Sequence, residues 1–302
     1  MTNTTERTPK ETQPERATSK ETRSEFLYFA LRNNKLRIGL AVILFFLVLA
    51  VVGPWLTDYE PYAYVNPGGA QPPSAEHWFG TTMFGQDVFT QFVLGLRSTF
   101  IVGAIGGGLG TLIGIVIGFT SGYQGGIVDE ILNVITNIIL VIPTLAILLI
   151  IAAYLEVRGI LMESIFIGFT AWPWAARAVR SQTFSLRARD FVDLAKLSGR
   201  NSWKIIFGEI APNMMSYLLL TFILQFGGAI LNAATLDFIG LGPTNAVSLG
   251  LMMNNAVMWG ALLLGVWWWF VPPGLAITAI VGALYVTNVG LDEAFNPKLR
   301  EM

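Results

Sequence analysis

Residues 98–123 read STFIVGAIGGGLGTLIGIVIGFTSGY, an apolar run that is long enough to cross a bilayer as one helix. Its glycines recur at intervals of three or four, so at 3.6 residues per turn they form a single stripe along the helix. Lipid gives no hydrophobic drive for helix association, and close backbone contact between small residues takes that role. The stretch therefore predicts a spanning helix that packs tightly against a neighbour, as a static contact or as a sliding surface. The stripe consists of Gly103, Gly107, Gly110, Gly114 and Gly118.

The composition of the whole chain also indicates a membrane protein. Apolar residues make up 53% of the 302 residues and charged residues 13%, whereas charged residues make up about 25% of a soluble domain. With no cysteine and a single histidine, His77, the sequence predicts no disulfide, no thiolate chemistry and no metal site. The net charge of −1 gives no reason to expect nucleic acid as a partner. No GxxxxGK[ST] pattern is present, so we expect no ATP-binding loop of that type in this chain.

The apolar runs divide the chain into six predicted spans, so the expected fold is an all-α membrane protein with six transmembrane helices. We expect Pro143 to be tolerated inside the third span, because neighbouring helices can satisfy the backbone groups that a proline frees. The spans are placed at about 36–56, 98–122, 130–155, 160–181, 213–240 and 265–290. The predicted regions are a disordered tail at 1–25, a first helix within 26–56, a loop at 57–97 with a short interfacial helix near 86–96, a core at 98–290 and a C-terminal segment at 291–302.

The distribution of Lys and Arg predicts the orientation of these spans. Seventeen of the 19 basic residues lie in the tail through Arg37, in the 177–212 connector or in residues 291–302. The other two are Arg97 and Arg158. Because cytoplasmic connectors of membrane proteins carry the excess of Lys and Arg, both termini and the 177–212 connector are predicted to be cytoplasmic. The 57–97 loop is then extracytoplasmic.

Polar side chains inside the predicted spans are candidates for a solute path. Asn133 and Asn137 lie on one side of the third span, and Gln225 and Asn232 share a face of the fifth. Polar groups in hydrocarbon are costly and turn towards a partner helix or a wet cavity. The sequence therefore leaves two interpretations open, which are a lining for a polar solute and hydrogen bonds between helices.

The connector that ends the fourth span has a pattern of its own, FVDLAKLSGRNSWKIIFGEIAPN at 191–213. Gly199 is placed to end a first short helix, since glycine accepts the left-handed conformation of a C′ residue. Asn201 or Ser202 is placed to cap a second one. Two amphipathic helices with a bend between them suit docking into a groove of another protein, or lying flat on the membrane. The apolar faces are predicted to contain Phe191, Leu194 and Ala195 in the first helix and Trp203, Ile206, Phe207 and Ile210 in the second.

This connector resembles the EAA loop of ABC importer permeases. The residues that carry the resemblance are Asp193-Leu194-Ala195, Gly199 and Pro212, with Asp193 in place of the usual Glu and Leu194 in place of the usual second Ala. Glu209 occupies a position where a basic residue is frequent. Five further segments resemble the dipeptide, oligopeptide and nickel subfamily, and in particular the C-type subunits of oligopeptide importers. They are residues 77–100, 236–242, 248–256, 267–277 and 288–300.

The resemblance implies a type I ABC importer permease in the cell membrane that is not itself an enzyme and binds no cofactor. Its partners would be a second, homologous permease subunit in a heterodimer, two ABC ATPase subunits that bind ATP and Mg²⁺, and an extracytoplasmic solute-binding protein. The 186–212 loop would couple the chain to the ATPases, and the solute would be an oligopeptide or, alternatively, an oligosaccharide. The implied coupling residues are Asp193, Leu194, Ala195, Gly199, Trp203 and Pro212.

Two other classes of function make different demands on the sequence. A secondary carrier or channel is expected to show an internal repeat and membrane acids that pair with coupling ions, and no clear repeat is visible here. An intramembrane enzyme needs a nucleophile with its base, or metal ligands, within the spans. No His or Cys lies in any predicted span, and Glu163 lies near the outer edge of the fourth.

Overall fold

The computed structural model describes residues 32–65, 68–155 and 158–295. These residues form helices and connecting segments without a β-strand, and one isolated bridge pairs Thr81 with Asp87. The predicted all-α class is thus confirmed. The predicted tail at 1–25 lies outside the described residues, as does the C-terminal segment beyond Phe295.

Eleven helices follow one another along the described ranges. They are α1 Asn34–Val52, α2 Val88–Gln124, α3 Gly126–Val141, α4 Thr144–Tyr154, α5 Ile160–Arg187, α6 Asp190–Leu197, α7 Ser202–Ile205, α8 Ala211–Asn213, α9 Met215–Phe238, α10 Leu249–Met258 and α11 Val271–Phe295. Single 3₁₀ turns at Gly53–Trp55 and Trp267–Trp269 extend α1 and precede α11. A π-helical turn at Gly103–Gly107 lies within α2, and another at Ile206–Ile210 joins α7 to α8.

Four of these helical stretches are long and apolar enough to cross a membrane, and the bent pair α3–α4 makes a fifth if it is one span. The predicted span at 160–181 corresponds to α5, which has 28 residues but carries more charge than the others. Its charged residues are Glu163, Arg177, Arg180 and Arg187. The four apolar stretches are Asn34–Trp55, Val88–Gln124, Met215–Phe238 and Trp267–Phe295.

The second span begins at Val88 and not at residue 98, so the separate interfacial helix predicted near 86–96 was wrong. Asp87 caps the helix, since its Oδ1 accepts hydrogen bonds from the Thr90 N at 2.7 Å and the Thr90 Oγ1 at 2.8 Å. Such a cap satisfies one of the amide groups that have no partner within the helix. From there the helix continues through its π-helical turn to Gln124 without a break, because nothing in the sequence interrupts it.

The third predicted span, at 130–155, is two helices bent by 76°. Ile142 is extended, with φ −78° and ψ 124°. A residue that precedes proline is restricted to this region by a clash with the proline ring, and Pro143 itself has no N–H to continue the helix. The sequence had indicated Pro143 as a tolerated kink, and the structure shows a complete break at this position.

The glycine stripe of α2 lies against two helices, and the contact of α2 with α5 is the most extensive between any two described helices. A Cβ atom on Gly114 would lie 2.5 Å from the Ala175 Cβ of α5. One on Gly107 would lie 2.6 Å from the Phe226 Cα of α9. Real Cβ atoms do not approach so closely, so these positions have room for hydrogen only. The absence of side chains along the stripe brings the backbones of α2, α5 and α9 together.

We expect Gly114→Ala to lower the stability of the bundle by about 1–3 kcal/mol, because the added methyl group overpacks the α2–α5 contact. Gly108→Ala is the matched control on the same helix. A Cβ there has no neighbour closer than 3.9 Å, so the higher helix propensity of Ala makes the change neutral or slightly stabilising. Thermal unfolding of the purified protein in detergent measures both variants. Equal melting temperatures would show that the stripe is not a tight contact.

Candidate functional site

The connector between α5 and α9 forms two short helical segments with a sharp bend between them. Gly199 has φ 70°, its N–H donates to the Lys196 O at 3.0 Å, and the Arg200 N donates to the Ala195 O at 3.4 Å. This pair of hydrogen bonds is the Schellman arrangement that ends a helix. The Asn201 Oδ1 accepts a hydrogen bond from the Lys204 N at 2.9 Å and so caps α7. The predicted helix end and the predicted cap at Asn201 are confirmed.

One face of the connector is part of the protein core. Its buried side chains pack with residues of α2, α5 and α9, so the connector and the adjacent ends of three long helices form one packed unit. A displacement of the connector is therefore transmitted to these helices, because close-packed interiors resist local deformation. The buried connector residues are Val192, Ala195, Ile205, Ile206 and Ile210, and their partners on the long helices are Phe119, Tyr123, Val179 and Leu218.

The connector also exposes large apolar side chains, one of which, Phe207, keeps a ring contact with the core residue Phe119. Leu194 and Leu197 on α6 are 64% and 85% exposed, and Trp203 and Phe207 are 47% and 55% exposed. The rings of Trp203 and Phe207 are stacked, with centroids 5.9 Å apart and planes 15° apart. We call these four residues the connector patch. Single exposed apolar residues are common, whereas a cluster of them marks a surface for interaction.

The predicted grouping of apolar residues was wrong in both halves of the connector. Leu194 and Ala195 were expected on one stripe, but Ala195 is buried and Leu194 is exposed. Neighbouring residues of an α-helix are about 100° apart around its axis, so Leu194 and Ala195 project from α6 in different directions. In the second half Ile206 is buried while Phe207 is exposed, for the same reason.

Four charged residues of the connector form two ion pairs. The Lys196 Nζ donates to the Asp193 Oδ1 at 2.9 Å. The Arg200 Nη1 donates to the Glu209 Oε1 at 2.5 Å and joins the bend to the π-helical turn. Glu209, the acid at an unusual position, thus has a partner nine residues earlier in the chain. Pro212 is exposed at the start of α8. All six implied coupling residues lie on this connector, and their role in coupling stays a prediction.

The polar side of α3 faces arginines of α5. The Asn137 Oδ1 accepts a hydrogen bond from the Arg177 Nη2 at 2.6 Å. Asp129 accepts two hydrogen bonds from Arg180, from Nε at 2.6 Å and from Nη2 at 2.7 Å, and a third from the Ser121 hydroxyl. Asn137 therefore takes part in a hydrogen bond between helices, which was one of the two open interpretations.

The four predicted solute-path residues are not brought together by these contacts. Gln225 is buried where α9 meets α5, and its Nε2 donates to the Ala171 O at 2.9 Å. Asn137 belongs to the α3–α5 contact instead. Asn133 and Asn232 are half-buried on α3 and α9. A role of this set in solute binding stays a prediction.

Sequence reasoning missed a pair of buried acids at the end of the bundle opposite the connector. Glu163 in the first turn of α5 and Asp237 in the last turn of α9 are both buried and line the same narrow cavity. The sequence indicates that Glu163 lies near the outer edge of its span, but it does not connect this acid with Asp237. Both acids lie at the outer ends of predicted spans, which is a signal that the sequence offers, but residue spacing does not show that these two spans are neighbours.

Comparison with known proteins identifies the family. Residues 110–301 match the profile of the binding-protein-dependent transport system inner membrane component. The chain belongs to this family. Residues 29–73 also match the N-terminal TM domain of oligopeptide transport permease C. The predicted recognition is thus confirmed over most of the chain.

Several relatives of this inner membrane component are similar over nearly their whole length. The dipeptide transport system permease protein DppC of Alkalihalophilus pseudofirmus is 34% identical, over 89% of this chain and 88% of its own. The oligopeptide transport system permease protein OppC of Bacillus subtilis is 33% identical, over 89% and 88%. The probable D,D-dipeptide transport system permease protein DdpC of Escherichia coli is 31% identical, over 90% and 91%.

Membership in this family establishes what kind of protein the chain is. It is a multi-pass inner membrane protein and the permease component of a binding-protein-dependent transport system. As an inner membrane component it is a transport subunit and not an enzyme. ATPase and binding-protein partners are implied by the same membership.

We expect Gly199→Ala to loosen the connector without disturbing the bundle. The added methyl group meets no atom within 4 Å, so its effect is the cost of holding an L-residue in the left-handed region, about 1–2 kcal/mol. Hydrogen exchange of residues 190–205 is then expected to become about 5 to 30 times faster. Gly208→Ala, which also meets no atom within 4 Å and has no positive φ, is the control. If both variants exchange like the wild type, the bend does not depend on Gly199.

Proposed function

We propose that this chain forms half of the translocation path of a peptide importer and couples to two cytoplasmic ATPases through the connector at 190–213. The observation that carries the proposal is the connector itself. One of its faces is fixed in the core with α2, α5 and α9, and the other presents the connector patch of Leu194, Leu197, Trp203 and Phe207. A groove on another protein that accepts this amphipathic helical surface would bury its exposed apolar side chains.

The proposed topology has six spans with both termini in the cytoplasm. With α5 as a crossing helix, the connector and the chain termini fall on the same side of the membrane. Its 28 residues give a length of about 42 Å, which exceeds the roughly 30 Å of a bilayer core. Arg177 and Arg180 lie towards its connector end and have partners on α3. Paired charges at the edge of a bundle are tolerated near a membrane.

The proposed mechanism is alternating access driven from the cytoplasm. The two ATPases bind ATP and Mg²⁺, close, and move the connectors of this chain and of a second, homologous permease subunit. The chain itself holds no nucleotide. Since the connector and the adjacent ends of α2, α5 and α9 pack as one unit, ATP binding favours one arrangement of the bundle over the other. A ligand shifts such an equilibrium only by its different affinity for the two states.

The proposed solute is a peptide, delivered by an extracytoplasmic solute-binding protein. This choice rests on the relatives, since the similar permeases from three bacteria are described as dipeptide, oligopeptide and D,D-dipeptide transport proteins. Oligosaccharides are the alternative that an assay has to distinguish.

The coupling proposal predicts that Leu194→Glu abolishes ATPase binding. A charge introduced into the connector patch has to be buried in an apolar groove, and loss of a central contact costs about 2 kcal/mol or more, or at least 30-fold in affinity. Co-purification of the ATPases with the tagged chain measures the effect. Leu194 is 64% exposed, so the variant is expected to melt like the wild type. Leu263→Glu is the control, with an exposed leucine outside the connector, and should retain the ATPases. Normal recovery of the ATPases with Leu194→Glu would contradict the assignment.

The solute proposal predicts that peptides stimulate ATP hydrolysis by the reconstituted importer. The complex in liposomes, with its binding protein, would be assayed against a panel of peptides and a panel of oligosaccharides. Stimulation by peptides alone is expected. Stimulation by oligosaccharides alone would show that the solute is an oligosaccharide and would leave the permease role unchanged. Transport without ATP hydrolysis would contradict the coupling mechanism itself.

A further inference from the structure

The buried acids at the end opposite the connector have unsatisfied oxygens. Glu163 is 8% exposed and Asp237 is 3% exposed. The Glu163 Oε1 and the Asp237 Oδ1 are buried without a hydrogen-bond partner. Both acids line the same narrow cavity between α5 and α9. Buried polar groups are nearly always paired, so this cluster requires an explanation.

Two carboxyl groups enclosed in one buried cavity can hydrogen-bond to each other only when one of them is protonated. An ionised carboxylate only accepts hydrogen bonds, and two ionised carboxylates in contact repel each other. Among the described residues, the cation whose charge acts on Asp237 is Arg158, in the segment before α5, and its Nε is itself buried without a hydrogen-bond partner. The guanidinium compensates one negative charge, which leaves one more to be neutralised. The hydroxyls of Ser98, Thr99 and Ser248 are the polar groups that α2 and the start of α10 contribute to the same cavity.

The pair joins several segments at this end of the bundle. Asp237 and Ser248 line the same cavity, and the Ser248 Oγ caps α10 by accepting a hydrogen bond from the Leu251 N at 3.1 Å. A Cβ on Gly250 would lie 2.5 Å from the Asp237 Cβ, so α10 approaches the acid closely. The Thr244 N donates to the Arg158 O at 2.8 Å. The segment at 239–248 is thus held to α5 and α9 around the two carboxyl groups.

We propose that Glu163 and Asp237 form a proton-binding site that closes this end of the bundle. With one shared proton, the pair holds α5, α9 and the 239–248 segment together. Without the proton, two buried carboxylates share one cavity with a single guanidinium to offset their charges, and the contact separates. The closed arrangement binds one proton more than the open one. The closed arrangement is therefore fully populated at low pH, and its population falls as the pH rises. Beyond the transition the ratio of closed to open molecules falls tenfold per pH unit.

Hydrogen exchange of residues 239–250 in the assembled importer tests the site between pH 5 and pH 9. Exchange rates are divided by those of an unstructured reference peptide at each pH. For the wild type, protection is expected to fall about tenfold per pH unit above the transition. In Glu163→Gln the side-chain amide replaces the protonated acid and donates to Asp237 at every pH, so protection is expected to stay constant. Glu76→Gln, at an exposed acid of the 57–97 loop, is the control and should follow the wild type.

Asp237→Asn is the second variant and is likewise expected to remove the pH dependence, because its amide donates to Glu163. Constant protection in the wild type over the whole range overturns the proposal. The same pH dependence in Glu163→Gln or Asp237→Asn as in the wild type also overturns it. A change of protection on replacing choline by Na⁺ or K⁺ at fixed pH and ionic strength would assign the site to a metal cation instead. The measurement needs no solute, so its failure leaves the proposed transport function untouched.

Discussion

The close contact of α2 with α5 and α9 is the constraint on which the rest of the structure depends. Gly107 and Gly114 leave room for hydrogen only, and the neighbouring backbones occupy the space where side chains would lie. In a membrane such contacts replace the hydrophobic drive that holds a soluble core together. They fix α5, and α5 in turn leads directly into the connector at one end and carries Glu163 at the other. A single tightly held helix therefore sets the positions of both candidate functional regions.

The two ends of the bundle are built with different chemistry. At the connector, apolar side chains form a packed core that includes Ile206 and Ile210, and the exposed patch is apolar as well. At the opposite end the core is apolar too, but it encloses the carboxyl groups of Glu163 and Asp237 in a cavity lined by several segments. An apolar interior resists deformation whatever the solution conditions, whereas a buried polar cluster responds to protonation. The apolar core at the connector suits the transmission of a mechanical displacement, and the buried carboxyl pair at the other end suits a response to the pH of the solution.

Much of this architecture could be predicted from local sequence signals. Gly199 and Asn201 define the bend because helix ends depend on a few neighbouring residues. The start of α2 could not be placed correctly, because Asp87 lies in a polar loop that composition alone does not separate from the helix it caps. The exposure of Leu194 and Phe207 could not be predicted either. Both sides of the connector carry apolar residues, and only the tertiary contacts show which side is buried. The Glu163–Asp237 pair depends on which spans are neighbours, and residue spacing within one span carries no such information.

The ion pairs of the connector have a consequence for the choice of partner. Arg200 is paired with Glu209, and Lys196 with Asp193, so these charges are balanced within the connector. Charged groups steer association and reject wrong partners through like-charge repulsion. Besides the exposed charges of Asp190 and Lys204, the connector then offers the shape of Trp203, Phe207 and the two leucines for recognition. Recognition by the ATPases then depends largely on the fit of these side chains.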